Sequence, residues 1–284
     1  MKQIAAVCLA LLFVSASCGD KHKDKNEQFA YPTQPGTTWY YTITSVRSFD
    51  TADVFDWSGH VTVSIVEPDT SPGLTQAVQF RSVSTIMGPV SEGSWFYRPA
   101  SDGLYLVANC GSTSSFVMTP KRAVGAIDPL AQFADIVCPD MLGIAGCGEG
   151  AVDFLPDEPA AIRYPWRVGN RWAFRSPTEV PFHIYKSVIR FGKVSVPAGT
   201  FDCYRLRWEY EALDELRIED DVADCGLVCR RTIMDSVLYT DYEHPEGNGQ
   251  YFTWIQDAKL DSMKIPSGTN PGTDTASSGD RPSR

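Results

Sequence analysis

Val194-Ser195-Val196-Pro197-Ala198-Gly199-Thr200-Phe201-Asp202-Cys203-Tyr204 is the stretch on which the fold turns. Pro197 sets φ at about −65° for the second position of a tight turn, and Gly199 accepts a positive φ at the bulge that follows. Beyond it, Tyr204, Leu206, Trp208 and Tyr210 alternate with Cys203, Arg205, Arg207 and Glu209. Such period-two alternation describes a sheet with one buried and one wetted face. The stretch is therefore an antiparallel hairpin. Working outward, Val61, Val63 and Ile65 alternate with Thr62, Ser64 and Val66, and Ser71-Pro72-Gly73 supplies a comparable turn before a strand from Thr75 to Ser84.

The chain also repeats itself. Tyr31-Pro32 to Tyr41 and Tyr164-Pro165 to Phe174 both read Y-P-x-x-x-G-x-x-W-x-aromatic, at an offset of 164 − 31 = 133 residues. Asp102-Gly103-Leu104-Tyr105-Leu106-Val107 parallels Asp224-Cys225-Gly226-Leu227-Val228 in the same order. These echoes predict two related, curved antiparallel-sheet halves, at 29–147 and 164–265, joined by a linker at 148–163 that carries Pro156 and Pro159. One short helix is expected between them: Asp128 caps it, Pro129 fits its first turn, and Leu130, Phe133, Ala134 and Val137 share a face. The fold class is thus mainly β. The stretch 266–284 is rich in Gly, Ser, Thr, Asp and Pro and reads as a disordered tail.

Of the 284 residues, 43% are hydrophobic and 12% aromatic, enough for a real core with a leaning towards strands. The formal net charge of −10 argues against nucleic acid as a partner, which requires a positive footprint. From Glu209 to Asp224 there are eight acidic residues against the single Arg217. Clustered carboxylates could hold a divalent cation, but no EF-hand spacing is present, and a solvated loop is the preferred reading.

The beginning of the chain reads as an address. Met1-Lys2 is positive, Ile4 to Val14 is apolar, and Ser15-Ala16-Ser17 precede Cys18. This is a secretory signal over 1–17, too short to span a bilayer. Val14-Ser15-Ala16-Ser17-Cys18 resembles the lipobox of bacterial lipoproteins, departing from it at Ser15, where that family has Leu. The resemblance implies acylation at Cys18, with the membrane as partner; ordinary secretion with standard cleavage is the alternative. A polar tether follows over 18–28, with nothing apolar to bury. Once Cys8 is removed with the signal and Cys18 is acylated, six cysteines are left as candidates for disulfides: Cys110, Cys138, Cys147, Cys203, Cys225 and Cys229. Cys138 and Cys147 close a loop short enough to bridge easily. Cys225 and Cys229, four apart on a strand, lie about 13 Å from one another and cannot pair directly. Cys203 could reach one of them across the ladder.

Tyr164 to Phe174, Val194 to Phe201 and Cys225-Gly226-Leu227-Val228 follow one another in the chain, in the order of the Y-P-L-x-x-G-x-x-W-x-Y, V-P-A-G-T-F and G-V-G-L-V segments of one group of bacterial envelope proteins. In this the stretch 160–260 resembles the uncharacterised DUF3108-like group of bacterial envelope proteins. The resemblance implies a curved antiparallel sheet and brings no activity with it. Cys225 and Cys229 depart from the group, which has neutral residues there.

Candidates for chemistry are sparse. His22, His60, His183 and His244 are scattered, and H-E-x-x-H, G-x-S-x-G, P-loop and dinucleotide patterns do not occur. No cofactor, metal site or catalytic residue is expected. Trp95, Phe96, Tyr97, Tyr251, Phe252 and Trp254 could line a groove for an apolar or envelope-derived ligand, though core packing accounts for them as well. The sequence thus describes a lipoprotein of the bacterial cell envelope, placed at the outer membrane and facing periplasm or surface. Its body reads as a non-catalytic binding, carrier or scaffold module. An envelope hydrolase with a site assembled only in three dimensions, or a protein-interaction module working through its sheet edges, are the alternatives.

Overall fold

The computed structural model of the chain describes residues 29–49, 52–67, 74, 76–85, 90–110, 152–155, 157–175, 183–211, 214–238 and 251–266. Thirteen strands are present among them: β1 (Thr38–Phe49), β2 (Ala52–Val66), β3 (Val78–Ser84), β4 (Ser91–Ala100), β5 (Gly103–Cys110), β6 (Val152–Phe154), β7 (Ala160–Arg163), β8 (Arg171–Arg175), β9 (Ile184–Val196), β10 (Gly199–Tyr210), β11 (Leu216–Ala223), β12 (Gly226–Leu238) and β13 (Tyr251–Lys264). Neighbours pair antiparallel in the order β6-β5-β4-β3-β2-β1-β13-β12-β11-β10-β9-β8. The chain meanders outward through its first half and back through its second, and β1 meets β13 along their whole length, from Thr38↔Lys264 to Ser48↔Thr253. One sheet therefore runs through both halves, nearly closed as a barrel.

The seam lies where the two ends of this path approach. β7 leaves the path to pair with β5 and comes up against β8. Side chains, not a ladder, bridge the remaining gap. Trp172 Nε1 donates to the carbonyl of Ala160 at 2.8 Å and Lys186 Nζ to that of Ala161 at 3.0 Å. Buried carbonyls at a strand edge thus find donors, as they must when water is excluded. β6 and β7 fall inside the segment 148–163 that the sequence presents as a linker. No helix occurs among the described residues, and the helix expected at 128–138 lies outside them, as does the tail beyond 266.

The interior is built in cross-strand rows. One row runs Ser45, Gln256, Thr232, Ile218, Trp208, Lys186, Trp172 over β1, β13, β12, β11, β10, β9 and β8. The next runs Ile43, Ala258, Arg230, Asp220, Leu206, Val188. Every member of both rows is buried. Aromatic rings fill the rest: Trp39 stacks on Phe80 at 6.0 Å between centroids, and Phe80 meets Tyr97 edge-on at 5.0 Å. Trp95, Phe252 and Trp254, considered above for a groove, belong to this core, whereas Tyr251 is exposed. Two small clusters sit apart from it: Leu74, Ala77, Phe96, Val107 and Ala108, and Cys203, Ala223, Cys225 and Val228. The sharp faces of the pleat explain the separation, since Val222 and Leu227 point to the main core and their chain neighbours Ala223 and Val228 do not.

The repeat has a structural counterpart. Gly36 (φ +87°) and Gly169 (φ +94°) occupy equivalent turns. Gly36 N–H donates to Ile65 O and Gly169 N–H to Val188 O, both at 2.8 Å. In each half the residue after that glycine accepts the return bond, Thr37 O from Ile65 N–H and Asn170 O from Val188 N–H.

Candidate functional site at the junction of the two halves

The first copy of the repeated motif closes around the turn between β11 and β12. Trp39 Nε1 donates to Cys225 O at 2.6 Å, Tyr41 Oη donates to Leu227 O at 2.8 Å, and Leu227 N–H donates to Tyr31 Oη at 3.2 Å. Gly226 makes this possible. Its φ is +113°, and a Cβ there would lie 2.8 Å from Trp39 Nε1. Burial, with the nearby Tyr31, pushes the Tyr41 phenol well above its ordinary range, so it stays a donor.

Beneath the clamped turn lies a buried ion pair. Arg230 grips Asp220 through Nε at 2.7 Å and through its terminal nitrogen at 2.9 Å, and Trp208 Nε1 adds a third bond to Asp220 at 2.8 Å. The Trp208 ring carries Lys186 Nζ at 3.8 Å from its centroid, with the Arg230 guanidinium at 5.4 Å. Burial alone would raise the Asp220 carboxyl. The charge and hydrogen bonds of Arg230, the charge of Lys186 and the Trp208 bond outweigh it and hold the group below its ordinary value. Both carboxylate oxygens are occupied, so Asp220 is a fixed counter-ion. A general acid would need a pKa raised towards the working pH and a free oxygen facing its substrate.

Other members of the acidic run from Glu209 to Asp224 are paired in the same way, and the run is strand, not loop, over much of its length. Arg205 holds Asp221 in a fork at 2.8 and 2.6 Å and reaches Glu219 at 3.0 Å, while Arg207 takes the other oxygen of Glu219 at 2.7 Å. Glu209 accepts from Arg171 at 2.7 Å and from Ser187 at 2.5 Å. Among the described residues no group of three or more His, Cys, Asp or Glu side chains is placed to hold a metal.

Of the cysteines expected to matter, Cys203, Cys225 and Cys229 are described, and all three are free thiols. Cys203 and Cys225 are buried in one cluster with Ala223 and Val228. Burial first, then the Asp221 charge beside Cys203 and Cys229 and that of Asp224 beside Cys225, pushes the thiols up, to about 12, about 12 and about 11 respectively. Cys110 ends β5, with its side chain outside the described residues. Cys18, Cys138 and Cys147 lie outside them altogether.

Sequence reading missed the Lys186–Trp208–Asp220–Arg230 group. One signal was available: Lys186 stands between Ile184 and Val188, two apolar residues at inward positions of a period-two pattern. A charge in such a slot is buried only when paired.

No family model matches the chain, and no curated protein matches it. Two solved structures align with it. One is a Bacteroides fragilis chain assigned to exported proteins of YmcC-like fold, at 12% identity and a TM-score of 0.36, over 84% of this chain and 100% of that one. The other is a Parabacteroides distasonis chain assigned to the lipoproteins, at 12% identity and a TM-score of 0.30, over 84% and 99%. Overlap this loose transfers no residue and no activity.

Proposed function

We propose that the chain is a lipid-anchored protein of the bacterial cell envelope whose barrel is a non-catalytic binding, carrier or scaffold module. The signal ending in Cys18 and the polar tether after it support the location. The observation that carries the rest is the state of Asp220, the carboxylate of the inner rows. Arg230 and Trp208 saturate it, and its pKa is moved away from neutrality. A carboxyl that serves as general acid is tuned the other way, and one that serves as base or nucleophile keeps an oxygen free for its substrate. A charge fixed in this manner holds strands β10, β11 and β12 in register, as a passive body requires.

Two measurements test the reading. Cys18→Ala is expected to move the protein from the membrane to the soluble fraction of the envelope; unchanged membrane association defeats the anchor. Native mass spectrometry of protein drawn from its own envelope distinguishes the modules, because a retained apolar mass marks a carrier and a co-purifying protein marks a scaffold. Hydrolysis of envelope esters, glycans or peptides by the purified protein, abolished by a single side-chain substitution that leaves the fold intact, overturns the non-catalytic reading.

A further inference from the structure

We infer that Arg175 is the receptor for an oxyanion, a carboxylate or a phosphate, that a ligand brings to the barrel where β8 ends and β9 begins. The inference rests on the reading of the barrel as a binding module and names the chemistry of what it binds.

A bulge places this arginine. Along β8, Trp172 and Phe174 are buried while Arg171 and Ala173 are exposed. Strict alternation would send Arg175 to the outer face, where Arg171 meets Glu209 at 2.7 Å. The register instead shifts between Ala173 and Arg175, and Arg175 stands opposite Ile184, a residue of the main core. Residues directly opposite share a face. Arg175 is therefore turned inward, and only 8% of it stays exposed. Re-aiming a side chain is what bulges do beside active sites.

An arginine keeps its charge when buried, and a buried charge requires a partner. Among the described residues no hydrogen bond or ion pair reaches Arg175. Its guanidinium lies 5.9 Å from the centroid of the Phe174 ring, and its Nε is buried with no acceptor. The two buried carboxylates are already taken, Asp220 by Arg230 and Asp221 by Arg205. Lys186 Nζ brings a second cation to within 4.3 Å of the same ring.

Those two arginines show what is missing. Arg230 presents Nε and a terminal nitrogen to Asp220 at 2.7 and 2.9 Å. Arg205 presents the same pair to Asp221 at 2.8 and 2.6 Å. This planar fork matches two oxygens of a carboxylate or a phosphate. The oxyanion of the ligand stands to Arg175 as Asp220 stands to Arg230. The wall beside it is apolar: Phe174 meets Trp208 edge-on at 5.2 Å, and Trp208 stacks with Tyr210 at 6.4 Å. Opposite charges attract more strongly against such a wall than in water.

The test uses the full-length chain, unfolded in urea to strip any retained ligand and refolded, with the barrel checked by circular dichroism. Inorganic phosphate, hexanoate and hexanol are added at fixed ionic strength over a chloride background, and thermal melts are read. Phosphate or hexanoate should raise the melting temperature saturably. Arg175→Met should weaken that binding about ten- to a hundredfold. Arg175→Lys keeps a charge without the fork, falls between the two, and serves if the methionine variant does not fold. Phosphate acting alone assigns the site to a phosphoryl group, and hexanoate acting alone to a carboxylate. Equal anion binding in natural protein and variants, or none in either, overturns the inference. Hexanol acting as strongly as hexanoate in all three proteins keeps the carrier reading and removes the oxyanion. No effect of any probe, with nothing retained in native mass spectrometry of protein from its own envelope, removes both.

Discussion

Tyr164 Oη accepts the backbone N–H of Tyr31 at 2.7 Å, so the two tyrosines that open the repeated motif, 133 residues apart, are bonded to each other. Tyr31 in turn accepts Leu227 N–H, and the contact is relayed to the turn between β11 and β12. Tyr164→Phe keeps the ring and removes this acceptor from a part-buried N–H. The expected cost is about 1–2 kcal/mol, read as a lower urea midpoint at unchanged slope. An unaltered midpoint shows that the relay contributes nothing.

Gly226→Ala is expected to be far more damaging than Gly192→Ala. At 226 the new Cβ meets the Trp39 indole and the positive φ is strained, together about 2–4 kcal/mol. At 192 a Cβ meets nothing within 4 Å. Thermal melts of the two variants should separate clearly, and equal melts would remove the Trp39 contact from the account.

Asp220→Asn leaves Arg230 buried without its counter-charge, at an expected cost of about 3–5 kcal/mol. Replacing both, as Asp220→Asn with Arg230→Met, should cost less than the single change. The pH dependence has a definite sign. The folded carboxyl lies below the unfolded value of about 3.9. Its stabilisation is therefore present above that value and is lost as pH falls through the folded pKa. Unfolding followed by intrinsic fluorescence from pH 5 down to pH 2 should show a steep acid limb in the natural protein and a shallower one in the double variant. Parallel limbs would mean that other carboxylates control acid unfolding.

The Cys229 thiol, with its pKa at about 12, carries on the order of a thousandfold less thiolate at pH 8 than an unperturbed cysteine. Iodoacetamide should label it slowly in the folded protein and fast in urea, the ratio being read by peptide mass spectrometry. Equal rates would show an exposed, unshifted thiol.

Trp172→Phe removes the donor to Ala160 O at the seam while keeping a smaller aromatic ring in the buried position. Amide exchange in β7 and at Leu106, which donates to Pro159 O, should quicken, with exchange in β1 and β13 unchanged. Uniform acceleration would mean that the seam opens only with global unfolding.

Much of this architecture was legible in the chain. The turn at Pro197-Ala198 and the alternation after it correspond to β9, the turn and β10, and Gly199 has φ +138°. The offset of 133 residues marks equivalent glycines and tyrosines. Three things were not legible, each for a physical reason. Strands as short as β6 and β7 contain too few residues to show a period, so a Pro-containing segment read as linker. Consecutive Asp220 and Asp221 lie on opposite faces of β11 yet are both buried, Asp220 against Arg230 and Asp221 under Arg205 across the ladder, and an acidic run gives no sign of which arginines will cover it. The seam depends on Lys186 and Trp172 reaching backbone carbonyls, which carry no sequence signature.

The pairing of β1 with β13 also orients the molecule. Thr38 lies opposite Lys264, and a Cβ on Gly36 would come within 3.2 Å of Pro266. The start of β1 and the end of β13 therefore lie together, at the pole that holds the turns at 101–102, 197–198 and 224–225. An anchor at Cys18, as proposed, would hold the barrel to the bilayer by this pole. At the opposite pole β5 ends at Cys110, β12 ends at Leu238 and β10 leads into β11, and the same anchor would leave that pole facing away from the bilayer.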